Sequence, residues 1–217
     1  MNKQKIIAFD LDGTVLDTLP DIATAANFAL KSLGFPEQSL ESVRTYIGRG
    51  IRNLLKDLMG CDDEEVLENC RSIFKDYYDK NKSVTTKPYD GIIDLLNALK
   101  QKGYLLYLIS NKYEFATKQL VEQFFAGVFD GVYGSLDDRP AKPDRAIFDY
   151  VCDIHGLSKD GIIYVGDSEV DYEFAKNCGM EFIAVSWGFR TRSQLENLGV
   201  KVIADSVKEL ADLLNLF

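Results

Sequence analysis

The chain has 217 residues, 46% of them hydrophobic and 27% charged, with a net charge of −9. This is long enough for a well-buried core and a second small domain, and the composition fits a soluble globular enzyme. No apolar run approaches the ~20 residues of a membrane helix, and the acidic balance disfavours non-specific binding to nucleic-acid phosphates or membrane surfaces. The N-terminal MNKQKIIAFDLDG lacks an h-region and a cleavage site, so a cytoplasmic protein is expected. Cys61, Cys70, Cys152 and Cys178 have no metal-type spacing and read as free thiols in a reducing compartment.

Residues 6–9 form a continuous apolar run with β-branched Ile6 and Ile7, the mark of a buried parallel strand. It runs into Asp10-Leu11-Asp12-Gly13-Thr14. Alternation along the strand aims Asp10 and Asp12 the same way, at the carboxyl edge where open α/β sheets bind ligands. Two adjacent carboxylates repel, so the pair calls for a cation or a shared proton. The strand pattern then stops from residue 18 to about 82. Residues 21–34 place Ile22, Ala25, Ala26, Ala29, Leu30 and Leu33 on one helical stripe closed by Gly34 and Pro36. Residues 39–50, 50–60 and 62–81 continue in helical pattern, the last with acids in its first turn and Lys80 in its last. Some 65 residues thus read as a small helical bundle inserted after the first strand, with 83–88 as the return hinge.

From Tyr89 the βα alternation resumes. Asp90 is expected to cap a helix over 91–103. Strands are expected over 104–111, 129–135, 161–167, 181–187 and 200–205. Helices are expected over 113–124, 144–155, 171–179 and near Ser193, and Ser206 with Glu209 predicts a capping box for the last one. This pattern specifies an α/β fold: a doubly wound, mostly parallel, Rossmann-like sheet with helices on both faces. The domains are then 1–16 with 84–217 as core and 17–83 as helical cap. Three strands end in polar or acidic residues, at Asp10/Asp12, Ser110/Asn111 and Asp167. A parallel sheet brings such ends to one edge.

DLDGT, then a Ser-Asn strand end, Lys142-Pro143 and GDSEVD, in that order, resemble the motifs of the haloacid dehalogenase-like phosphohydrolases. The string from Phe9 to Leu30 is similar to phosphoglycolate phosphatases within that family. The resemblance implies a phosphatase for a small, phosphoglycolate-like phosphate monoester, with Asp10 as nucleophile forming an aspartyl-phosphate. Asp12 would be the general acid and base, and its presence speaks against a dehalogenase, whose leaving halide needs no proton. Mg²⁺ would be held by the Asp10 and Asp167 carboxylates and the Asp12 main-chain carbonyl. Lys142 would hold nucleophile and phosphate together, although the usual KPxP is KPDR here. Thr14, Ser110 and Asn111 would meet the phosphoryl oxygens. Asp171, with Gly166 and Ser168, would support the site, and the Asp171 alternatives are a metal partner, a hold on Lys142, or the N-cap of 171–179.

The inserted bundle reads as a lid that excludes water. Its IGRGI loop, residues 47–51, would bring Gly48 and Gly50 backbone close and let Arg49 reach an anionic substrate group. Asp17, Thr18 and Asp21 stand where such a lid would hinge. His155 is the only histidine and reads as a helix-end residue, which leaves serine-hydrolase chemistry without a base. The expected partner is a small phosphate ester; the chain would be a monomer or homodimer. The rival readings are a sugar phosphomutase of the same fold and a non-catalytic phosphometabolite sensor.

Overall fold

The computed structural model describes residues 5–158 and 160–214. Strand β1 (Ile6–Phe9) leads to a short strand β2 (Leu16–Asp17). Four helices follow: α1 (Leu19–Ser32), α2 (Leu40–Tyr46), α3 (Ile51–Met59) and α4 (Glu64–Asn81). Strand β3 (Lys87–Pro88) returns antiparallel to β2, so the two passages between sheet and bundle are bonded to each other. The alternation then runs α5 (Ile92–Gln101), β4 (Leu105–Tyr113), α6 (Glu114–Phe125), β5 (Gly131–Ser135) and α7 (Ala146–His155). It closes with β6 (Ile162–Gly166), α8 (Glu169–Cys178), β7 (Glu181–Val185), α9 (Arg192–Asn197), β8 (Ile203–Ala204) and α10 (Val207–Leu213).

The main sheet has the order β5-β4-β1-β6-β7-β8, and its paired strands are parallel throughout. The chain leaves β1 first for β4 on one side and later for β6 on the other, which makes β1 the switch point where such sheets bind ligands. Period-2 alternation divides the core. Ile7, Phe9, Leu106, Leu108 and Val165 pack with α5, α6 and α10; Ile6, Ala8, Tyr107, Ile109 and Tyr164 pack with α7 and α8. The bundle has its own apolar cluster of Leu19, Ala26, Leu30, Leu55, Leu67 and Phe74, joined from the sheet side by Ala116 and Phe189.

Several local expectations need correction. Gly91, with φ 82°, rather than Asp90 precedes α5, a left-handed position that an aspartate would occupy less readily. Helix α8 begins at Glu169 because Ser168 caps it, its hydroxyl accepting from Asp171 N while the Asp171 carboxylate answers the Ser168 amide. Asp171 is therefore the third residue of the helix and not its cap. Helix α7 starts at Ala146, two residues later than 144. At α10 only half of the expected box forms: Ser206 caps Glu209 N, but Glu209 Oε2 accepts from Asp205 N instead of returning to Ser206.

Candidate active site

Asp10 leaves β1 in phase with Ile6 and Ala8, so its carboxylate emerges on the α7–α8 side. There Lys142 Nζ donates to Asp10 Oδ1 at 2.9 Å and to Asp171 Oδ1 at 2.8 Å. It also reaches Tyr164 Oη at 2.7 Å and the Ile109 carbonyl at 3.1 Å, and the Tyr164 hydroxyl donates to that same carbonyl at 2.8 Å. The Lys142 side chain is 2% exposed. Burial alone would pull the ammonium's pKa down; Asp10 and Asp171 outweigh it and raise it.

Asp167 directly follows β6 and is held by the Phe189 N–H at 2.6 Å and the Thr14 hydroxyl at 3.3 Å. Gly13, at φ +83°, and Gly188 both press against this carboxylate, and a Cβ on either would overlap it. Gly166 leaves the same room for Asp171. Asp171 is fully engaged: besides Lys142, its Oδ2 accepts from Ser168 Oγ at 2.6 Å, Ser168 N at 3.1 Å and Asp167 N at 3.2 Å. Carboxylate oxygens of Asp10, Asp167 and Asp171 lie within 4.8 Å of one another, all buried. Burial first, then Asp171 and Asp10, push the Asp167 carboxyl well above the ordinary range. Asp10 is raised to about 6 by burial, against the pull of Lys142. Three buried acids face one lysine, so the cluster is short of positive charge. Asp10 and Asp167 offer the hard oxygens that Mg²⁺ prefers, and Asp171 is spent on Lys142 and the helix start.

Asp12 stands apart from this cluster. Lys112 Nζ donates to both its oxygens, at 2.9 and 3.0 Å, and the Thr18 hydroxyl donates to Oδ1 at 2.7 Å. Lys112, the next-to-last residue of β4, was not singled out by sequence reasoning. Its signal was available: it is a lysine two residues beyond Ser110 at a polar strand end. Ser110 is buried, its hydroxyl accepting from Lys112 N at 3.3 Å. The Asn111 side chain binds backbone: it accepts from Lys142 N at 2.8 Å and donates to Lys142 O at 2.9 Å and Gly48 O at 3.0 Å. It fixes the Lys142 loop and ties it to the bundle.

A cavity between bundle and sheet edge is lined by Asp10, Asp12, Asp167, Ser110 and Lys112 on one side and by apolar bundle residues on the other. Gly48 and Gly50 lie on its wall; Arg49 does not, and is exposed. A second arginine absent from the sequence reading joins the two parts. Arg190 pairs with Glu169 at 2.7 Å and donates to the carbonyls of Arg44, Thr45 and Ile47. It opposes the effect of burial on Glu169, whose pKa is lowered on balance.

The family model described as haloacid dehalogenase-like hydrolase matches residues 7–185. A protein of Nitrosospira multiformis named phosphoglycolate phosphatase is 34% identical over 216 residues, covering 97% of this chain and 95% of its own length. Its namesake from Aquifex aeolicus is 34% identical over 206 residues, covering 94% and 95%. Among solved structures, a haloacid dehalogenase-like family hydrolase from Streptococcus pneumoniae superimposes with a TM-score of 0.87 at 26% identity, covering 99% of this chain and 100% of its own.

Proposed function

Because the chain belongs to the haloacid dehalogenase-like hydrolases, we propose that it hydrolyses a small phosphate monoester through an aspartyl-phosphate on Asp10. The observation that carries this reading is the Lys142 bridge, one buried ammonium holding Asp10 against Asp171 with Asp167 alongside. A carboxylate so placed is oriented and partly neutralised, as a nucleophile approaching an anionic phosphoryl group must be.

In the first half of the reaction an Asp10 oxygen bonds to phosphorus and the ester oxygen leaves, taking a proton from Asp12. In the second half Asp12 removes a proton from water, the water oxygen attacks the same phosphorus, and the Asp10 carboxylate is released with phosphate. Lys112 and Thr18 aim Asp12 for both transfers. Ser110, on the cavity wall, orients the phosphoryl oxygens, while the Thr14 hydroxyl holds Asp167. Mg²⁺, bound by Asp10, Asp167 and the Asp12 main-chain oxygen, would supply neutralisation of the transferring group. Residues 17–83 act as the lid over a core of 1–16 and 84–217, and the paired β2 and β3 form its hinge. The names of the relatives make 2-phosphoglycolate the reference ester to assay. The test is Mg²⁺-dependent release of nitrophenol from p-nitrophenyl phosphate. Absence of release at every pH between Asp10's raised value of about 6 and mild alkali would refute the proposal.

A further inference from the structure

We propose that Lys112 is the specificity-determining residue of the site: its ammonium receives a carboxylate that the leaving group carries on the carbon next to the ester oxygen. The natural ester is then the phosphate of a small 2-hydroxy acid. This deepens the phosphatase reading and rests on it. Among the described lining residues of the cavity, Lys112 is the only lysine or arginine. Its side chain is 5% exposed, a costly place for an ammonium that has no more to do than a surface lysine. Its hydrogen-bonding capacity is not used up. An ammonium has three N–H donors, and Lys112 Nζ spends two, one on each oxygen of Asp12. Lys142 is the contrast: its Nζ meets Asp10, Asp171, Tyr164 and the Ile109 carbonyl, which leaves no donor for a ligand. Arg190 serves Glu169 and three carbonyls, and Arg49 is exposed and off the wall.

Lys112 also stands at the right end of the site. Asp12 is the residue that hands a proton to the ester oxygen in the proposed reaction, so an ammonium bonded to both Asp12 oxygens lies on the leaving-group side. A carboxylate one carbon beyond the ester oxygen comes within reach of the third N–H. The Tyr78 ring, with its centre 4.8 Å from Nζ, holds the ammonium from the bundle side. Ile22, Leu54 and Phe74 line the same cavity, and among such side chains a charge is screened less than in water and attracts an anion more strongly. A neutral leaving group leaves the third donor unpaired. A site built to bond a polar group discriminates against the analogue that lacks it.

The test compares 2-phosphoglycolate with 2-hydroxyethyl phosphate, which has a hydroxymethyl group in place of the carboxylate, at one Mg²⁺ concentration. The wild type is expected to show a kcat/KM at least about tenfold higher for 2-phosphoglycolate. Lys112→Met is expected to lower both rates, since Lys112 also aims Asp12, and to bring their ratio close to one. A ratio unchanged in Lys112→Met would reduce the residue to orienting Asp12 and overturn the proposal, as would a wild-type ratio near one. Calorimetric titration in the presence of Mg²⁺ with the non-hydrolysable 3-phosphonopropionate and 3-hydroxypropylphosphonate reads the same preference without turnover. The wild type is expected to bind the carboxylate at least about tenfold more tightly, a measurement that needs no variant to fold. Equal affinity, preference for the alcohol, or binding of neither would overturn the proposal. Selective binding of 3-phosphonopropionate with no hydrolysis of either ester would sink the phosphatase reading and leave this one standing. Hydrolysis of both esters with equal efficiency would do the reverse.

Discussion

Asp10 and Asp12 are two residues apart and end in different electrostatic company. Asp10 is raised by burial and shares Lys142 with Asp171, while Asp12 holds Lys112 and Thr18. This separation suits the proposed division of roles, in which one carboxylate attacks while the other moves protons. Asp10→Asn is expected to lower kcat by at least about a thousandfold with the far-ultraviolet circular dichroism unchanged, because a covalent nucleophile has no substitute. Phosphate release above about a hundredth of wild type would take Asp10 out of that role. Gly188 makes a subtler case. It touches no ligand, yet a methyl there must displace the Asp167 carboxylate. Gly188→Ala is expected to raise the Mg²⁺ concentration for half-maximal activity roughly tenfold, the usual effect of disturbing a residue that orients a metal ligand. Ser168 and Asp171, by contrast, were visible in GDSEVD but not their exchange of hydrogen bonds, since that depends on where α8 begins.

The elements that join bundle to sheet are held by polar contacts. Asp21, on the first turn of α1, accepts from the backbone N–H groups of Thr85 and Thr86 and from the Thr85 hydroxyl at 2.6 Å. Burial would raise its pKa, but these bonds win and lower it. A lowered carboxyl stabilises the fold above its ordinary value of 3.8, and that contribution is lost as pH falls through the folded value. Asp21→Asn is therefore expected to cost about 2 kcal/mol in urea unfolding at neutral pH. The gap should shrink in acid well below 3.8, and a gap of the same size under both conditions would mean the charge is irrelevant. Sequence reasoning placed Asp21 at the hinge without naming its partners. The helical stripe showed that α1 exists; it did not show that residues 85 and 86 return beside it.

Buried charge is unbalanced at one place, where Asp10, Asp167 and Asp171 cluster around the single ammonium of Lys142, and there a bound ion would tell on the stability of the whole molecule. With Mg²⁺ at the proposed site, saturation at about a hundred times its dissociation constant is expected to contribute about 2.7 kcal/mol and, for a chain of this size, to raise Tm by roughly 5–10 °C. Differential scanning fluorimetry with Mg²⁺ and with chelator measures it. Asp167→Asn should abolish the shift; a shift of full size in that variant would locate the ion elsewhere.

The amino-acid sequence by itself determined the alternation of strand and helix, the inserted helices, and the residue types at the strand ends, because periodicity and strand-end polarity are local properties. Only the tertiary structure decided who meets whom. Lys142 reaches Asp10 across 132 positions and Lys112 reaches Asp12 across 100, and such meetings follow from strand order and register, which no local pattern encodes. The apolar lining of the cavity and the exposed Arg49 belong to the same category: where side chains from separate segments come to lie is decided only when the bundle packs over the sheet.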